Sequence, residues 1–492
     1  MDLFIQAAGI IAQPQHLLLL VGSVLMGISV GAAPGLTPTM AIGLLVPLTF
    51  AMSSEAAFIM MLGIYCGGIY GGSITAILLN LPGTPTSAIT AIEGYPMSRR
   101  GESGIALGVA TMSSTLGGLI SCIFLLFFSL KLASVATMLG GPEYFCLALF
   151  AIITVVSLTG NSMLRSLIAT CIGLLISTIG LDRVGSFPRF TFGVDELVIG
   201  IPATPAIIGL LCVSEVFRIA EQSDIQVKIK KTTAGFMATI RLLPRLWLTI
   251  IKSSILGTFI GALPATGALM ASFLAYGEAK RSSKHPEEFG KGAVEGVCAS
   301  ESANNAVTGG AMIPLLTLGI PGDTNTLMMM GAMFVHGLIP GPTLFREQTI
   351  LVYIIYIAMI LSNLLILPFG LIMSNQIAKV ALIKKSYIMS AVAVLAISGG
   401  SIGLGHIYYF WITIIFGILG YICEKSGFPV IALGMAIILG PLMEANLRSS
   451  LMLPEAGLLM FFTRPLCLVF IILSLLVIFY GFRRQGAEKL KT

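Results

Sequence analysis

The chain has 492 residues, of which 56% are apolar and only 10% charged, with a mean hydropathy of +0.97. This excludes a disordered chain and argues against a water-soluble globule, and uncharged intervals such as 103–130, 253–277, 302–322 and 349–378 suit helical crossings rather than barrel strands. The net charge of +6 sits in basic loops beside apolar spans, which leaves no role for nucleic acid.

At about 20 residues per crossing, the sequence predicts an all-α polytopic membrane protein with about ten to twelve transmembrane helices. Residues 1–16 carry no basic region and no small-residue cleavage pattern, so insertion is expected to use the first apolar span, from Leu17. That span is interrupted at Gly31-Ala-Ala-Pro34-Gly35-Leu-Thr37. A second apolar span breaks at Asn80-Leu-Pro82-Gly83-Thr84-Pro-Thr86. Plain helices are expected near 103–130, 143–159, 164–181 and 197–217.

Residues 228–252 contain Lys228, Lys230, Lys231, Arg241, Arg245 and Lys252. They are read as a basic connector, with an amphipathic interfacial helix around 236–251. The span 253–277 is broken at Pro264, Thr266 and Gly267, and it is either a re-entrant hairpin or one tilted crossing with a proline kink. Another broken span ends at Gly319-Ile-Pro321-Gly322-Asp323-Thr324-Asn325. Plain helices follow near 349–374, 386–421 (two), 427–443 and 456–482.

The chain also matches itself. Gly31-Ala-Ala-Pro34 recurs as Gly261-Ala-Leu-Pro264, and the segment from Gly71 to Thr84 recurs from Gly309 to Asp323, at offsets of about 230 and 239 residues. A third echo, Gly94-Tyr-Pro96 then Glu102 against Ile339-Pro340-Gly341 then Glu347, keeps the order, and the three divide the chain into a first repeat (1–227), the connector (228–252) and a second repeat (253–492), the pattern of an inverted repeat with Pro/Gly-broken or re-entrant helices.

Backbone polar groups in hydrocarbon must be hydrogen-bonded, so helices broken at matching depths point to one shared wet cavity. Asn80, Pro82, Gly83, Thr84 and Thr86 in one arm, and Pro321, Gly322, Thr324 and Asn325 in the other, are the candidates for binding cargo. A helix starting after each break would aim free N–H groups at an anion. Pro34, Gly35, Thr37, Pro264, Thr266 and Gly267 are the candidate hinges. Asp323 stands alone between two uncharged tracts, where a carboxylate at membrane depth implies a coupling Na+ or H+ or, more simply, a helix cap. Glu301, Asn304, Asn305 and Thr308 share one helical face; that stripe either lines the cavity, with Glu301 and Thr308 holding the ion and Asn304 and Asn305 the cargo, or bonds helices together.

Several chemistries lack their motifs. There is no P-loop for ATP, no H-E-x-x-H zinc pattern and no CxxC among the eight cysteines, so an enzyme is not expected and no cofactor beyond a coupling Na+ is implied.

The stretches GAAPGLTPTMA, GGIYGGSITAILLNLPGTPTSAIT and ASESANNAVTGGAMIPLLTLGIPGDTNTLMMMGAMFVHGLIPGP resemble the TctA family, the large membrane subunit of bacterial tripartite tricarboxylate transporters. The resemblance spans about 22–345. It implies a secondary carrier for citrate or another small organic anion, driven by Na+ or H+, working with a small four-helix membrane subunit (TctB-like) and a periplasmic solute-binding protein (TctC-like). It also implies that Pro82-Gly83 and Pro321-Gly322, with Asn304 and Asn305, line the site. The alternatives are a carrier for a neutral or cationic solute and, remotely, an intramembrane enzyme.

Overall fold

Hydroxyl caps and left-handed residues set the element boundaries. The structure is a computed structural model, and it describes residues 2–159, 162–182, 184–221, 236–383, 389–390, 392–397, 407–452 and 457–489. Helix α1 (Asp2–Ile11) leads into α2 (Pro14–Ala32). After the interruption at 33–37, α3 (Pro38–Thr49) starts with a proline in its first turn and Thr37 as its cap, the Thr37 hydroxyl accepting from Met40 N–H at 3.2 Å. Helix α4 (Ser54–Leu79) stops at Asn80, which takes φ +55°. The Asn80 and Leu81 amides then donate back to Ala76 and Thr75, the bonding that ends a helix with a left-handed residue.

Next come α5 (Ala88–Arg99), α6 (Ser103–Ala136), α7 (Gly141–Leu158) and α8 (Met163–Ser177). A two-residue antiparallel pair, β1 (Gly180–Leu181) with β2 (Pro188–Arg189), sets Gly180 opposite Arg189. Helix α9 (Ala203–Ala220) holds a π-turn at Gly209–Val213. The second half runs α10 (Phe236–Gly261), α11 (Gly267–Ser282), α12 (Val294–Leu318), α13 (Thr324–Val335), α14 (Pro342–Glu347) and α15 (Thr349–Ala378). It ends with α16 (Ile407–Lys425), α17 (Val430–Leu451), α18 (Met460–Thr463) and α19 (Pro465–Lys489). Among the described residues, ten helices are long and apolar enough to cross a membrane. The chain is an all-α polytopic membrane protein.

One sequence expectation shifts. Helix α10 runs unbroken through 252/253, so the basic residues Arg241, Arg245 and Lys252 lie on one continuous helix with the apolar span rather than on a separate surface helix; long basic side chains can reach a membrane surface from there. Lys228, Lys230 and Lys231 lie outside the described residues, as does most of the stretch between 384 and 406 that was read as part of a helix pair.

Glycine contacts give the helix directions. Gly27 faces the Ile64 backbone and Gly31 faces Gly68, so α2 and α4 run parallel and α3 must return between them. The α2–α3 unit is therefore a hairpin, its tip level with Gly68 and Gly71, well short of the end of α4. Gly257 faces Ala303 and Gly261 faces Val307 in the same way. That makes α10–α11 a hairpin too, which decides between the two readings of 253–277. Helices α4 and α12 run antiparallel: Ser73 bonds Glu301, while Asn304 bonds the Ile69 carbonyl.

The extended breaks pack alike as well. A side chain on Gly83 would strike the Gly31 carbonyl and the Gly72 backbone, and one on Gly322 would strike the Gly261 carbonyl and the Ala311 backbone. Both glycines are present because backbone meets backbone there. Each break doubles back along the last turns of its helix before the next helix begins: Gly83 N–H reaches the Gly72 carbonyl at 3.3 Å, Gly322 lies against Ala311, and Gly341 N–H later returns to Leu316 at 3.0 Å.

Candidate functional site

Four helix starts meet at one cavity of about 590 Å³. Thr37, Pro38 and Thr39 come from the start of α3, and Thr84, Pro85 and Thr86 from the turn before α5. The α11 start gives Ala265 and Gly267, and the α13 start gives Asp323, Thr324 and Asn325. In each case the first amides of a helix have no intrahelical acceptor, so positive dipole ends gather on one volume. The tips bend at equivalent places: Gly35 takes φ +91° in one hairpin and Ala265 φ +57° in the other.

Helices α9 and α16 close the cavity with Glu215, Arg218 and Glu424. The Arg218 guanidinium grips Glu215 with two hydrogen bonds. With Asp323, the wall carries three carboxylates and one guanidinium.

Asp323 is buried and fully engaged. One oxygen caps α13 through Thr326 N–H at 2.8 Å and the Thr326 hydroxyl at 2.7 Å; the other accepts from the Tyr65 hydroxyl at 2.8 Å and the Asn325 amide at 2.9 Å. The Asn325 carbonyl oxygen accepts from the Thr39 hydroxyl, which also meets Thr324 at 3.0 Å. The cap reading of Asp323 therefore holds geometrically, and the same side chain faces the cavity.

Of the sequence candidates, the cavity gathers Thr37, Thr84, Thr86, Gly267, Asp323, Thr324 and Asn325. Gly83, Pro321, Gly322 and Pro264 are buried behind it, and Asn80 and Pro82 sit exposed at the end of α4. Pro34 and Gly35 shape the first tip. Thr266 closes the other, its hydroxyl bonding the carbonyls of Ile260 and Leu263. Glu301, Asn304, Asn305 and Thr308 are fully buried between α12 and its neighbours and do not line the cavity. Asn305 bonds Asn363 on α15 at 3.1 Å, and Thr308 bonds its own helix. Glu301 accepts hydroxyls from Ser73 on α4 at 2.6 Å, Ser114 on α6 at 2.7 Å and Thr90 on α5.

One carboxylate that the sequence reading passed over ties the arms together. Glu93, buried on α5, accepts the Gly292 and Ala293 amides at 2.7 and 2.8 Å, the Gly290 amide, and the Tyr276 hydroxyl at 2.6 Å. Beside it, Arg100 donates to the carbonyls of Lys291 and Gly292. Arg218 and Glu424 were passed over too, because both sit in plain helices away from any interruption.

The family model described as "Tripartite tricarboxylate transporter TctA family" matches residues 17–434. The chain belongs to the TctA family. It is 38% identical over 444 residues to an Agrobacterium vitis protein described as "Uncharacterized 52.8 kDa protein in TAR-I ttuC' 3'region", covering 90% of this chain and 88% of that one. A second Agrobacterium vitis protein, "Uncharacterized protein in TAR-II ttuC' 3'region", is 35% identical over 227 residues, 45% of this chain and 94% of its own length. No solved structure matches. Membership in the TctA family makes this chain a multi-pass membrane subunit of a tripartite tricarboxylate transporter.

Proposed function

We propose that this TctA chain carries a small di- or tricarboxylate such as citrate through the central cavity into the cell, coupled to Na+ or H+, at the inner membrane. A small four-helix subunit and a periplasmic solute-binding protein complete the machine in this reading. The observation that carries it is the convergence of four helix starts, two from each half, on one volume. Such ends stabilise a multiply charged anion without buried lysines. Thr39, Thr84, Thr86, Thr324 and Asn325 supply the side-chain hydrogen bonds, and Arg218 supplies a cation.

Three carboxylates on the same wall, Glu215, Glu424 and Asp323, support coupling. A polyanion entering beside them gains only when positive charge enters with it. We assign Asp323 and Glu301 to the coupling ion and the two hairpin tips to the movement that exposes the site alternately on each side.

The acid surplus also favours a second reading, in which Glu215, Glu424 and Asp323 contact a cationic or neutral solute directly. Purified protein in liposomes separates the two. The first expects uptake of radiolabelled citrate that depends on an imposed Na+ or pH gradient and falls at least tenfold in Arg218→Gln. Gradient-independent behaviour, or competition by cationic solutes but not by carboxylates, would overturn it.

A further inference from the structure

Glu301 is a carboxylate with no counter-charge. It is wholly buried, and among the described residues no basic side chain reaches it. Its hydroxyl donors are Ser73 and Thr90 on one oxygen and Ser114 on the other, with the Asn304 side chain beside them. An isolated carboxylate anion at membrane depth is costly, and the cost is met by a cation, a proton or several hydrogen-bond donors.

The hydrogen-bond pattern discriminates among these. A Na+ ion needs oxygens that turn their lone pairs toward a common centre, as oxygen-ligated cations do. Here the Ser73 and Ser114 hydroxyls sit 2.6 and 2.7 Å from the carboxylate oxygens, the spacing of hydrogen bonds in which the hydroxyls donate. A proton fits without rearranging heavy atoms. Thr90 lies in short contact with Glu301 Oε1 and 3.1 Å from the Ser300 hydroxyl, in a pair where either oxygen can donate. Ser300 in turn donates to the Gly296 carbonyl at 3.0 Å. A carboxyl hydrogen on Oε1 therefore has an acceptor in Thr90, and Thr90 turns its own hydrogen to Ser300. One helical turn away, Asn304 Oδ1 is buried with no partner, an acceptor available beside the same group.

We propose that Glu301 is a proton-binding site, separate from the cargo cavity, that loads and releases one proton from water as the transporter cycles. Loading breaks one O–H bond of a hydronium ion, forms one on the carboxylate and leaves water; release hands the proton back to water as hydronium. Ser73, Thr90 and Ser114 all belong to the first half of the chain, whereas Glu301 belongs to the second. The ionised form needs all three hydroxyls as donors, and the protonated form lets Thr90 turn to Ser300. The charge state is thus read as a choice of partner for α5, the helix that begins at the cavity.

Other titratable groups on the packed elements are engaged elsewhere. Tyr70 on α4 faces Glu301 electrostatically, but its hydroxyl is bonded to Thr111 at 2.7 Å; Glu93 on α5 accepts from Tyr276 on α11. On α6, Cys122 and Lys131 lie more than two turns from Ser114; on α10, Lys252 lines an outer groove with Glu295; Cys298 lies on α12 itself.

The test is infrared difference spectroscopy on the purified full chain in lipid, titrated with acid and separately with NaCl. A carboxyl C=O band should appear on acidification, be lost in Glu301→Gln and persist in Asp323→Asn. In Thr90→Val, which removes the acceptor, the band should move to higher wavenumber. Matched melting curves confirm that each variant is folded. A Na+-induced carboxylate change abolished by Glu301→Gln, or an acid band unaffected by that substitution, overturns the proposal. The coupling consequence rests on the transport reading: in liposomes, Glu301→Gln should lose its response to an imposed pH gradient. Should wild-type protein move no citrate, that reading fails, while the spectroscopic result still decides the proton site.

Discussion

Thr39 donates a 2.8 Å hydrogen bond to Asn325 across 286 residues of sequence, joining the start of α3 to the start of α13. Asn325 passes the contact on to the Asp323 carboxylate. Replacing it with alanine removes both bonds, one of them to a charged acceptor, worth about 1.5–3 kcal/mol. Initial rates of citrate uptake in Asn325→Ala are expected to fall by roughly 10- to 100-fold through KM.

Tyr65→Phe deletes one donor to Asp323 and leaves a buried carboxylate lone pair empty. The expected loss is about 1–3 kcal/mol, read as a lower melting temperature in detergent. Asp323→Asn keeps an acceptor for Thr326 N–H, because asparagine caps helices as well as aspartate does, so its melting temperature should stay close to wild type. Asp323→Ala should lose about 1 kcal/mol more than Asp323→Asn.

Gly83→Ala and Gly322→Ala each push a methyl group into backbone, against Gly72 and Ala311 respectively. Overpacking of this kind costs about 1–3 kcal/mol. Gly9→Ala is the control, since nothing lies within 4 Å of its added carbon, and inside α1 it should be neutral or slightly stabilising. Thermal unfolding of the three variants side by side checks the ranking.

Asp182, in the loop after α8, is buried against the Arg448 guanidinium, with both carboxylate oxygens at 2.7 Å. The Arg448 hydrogen bond holds its carboxyl below the ordinary value of 3.8. A depressed carboxyl stabilises the fold above its ordinary value and stops doing so as pH falls through its lowered folded value. Acid unfolding below pH 3.8 should therefore be steeper in wild type than in Asp182→Asn, which should also melt lower at neutral pH.

The interruptions were readable because proline and glycine in an apolar run have few structural uses. The matching of Pro34 with Pro264 and of Gly83 with Gly322 needed only the sequence compared with itself. Hairpin or kink at Pro264 could not be decided that way, since the answer lies in whether α10 and α12 run parallel, which Gly257 against Ala303 and Gly261 against Val307 reveal. The stripe from Glu301 to Thr308 was visible as polar, but its partners Ser73, Ser114 and Asn363 sit on helices distant in sequence, so the face it turns to was not. Arg218 escaped notice because a single arginine at the end of a plain helix looks like any membrane-surface charge.

The seat of Glu93 among three loop amides and a tyrosine hydroxyl behaves as a latch between the two halves. Because one carboxylate holds the middle of α5 to the loop feeding α12, neither half can swing alone without breaking four bonds together. Whatever motion opens the pocket must carry both as one piece or slip this catch in a single all-or-none event.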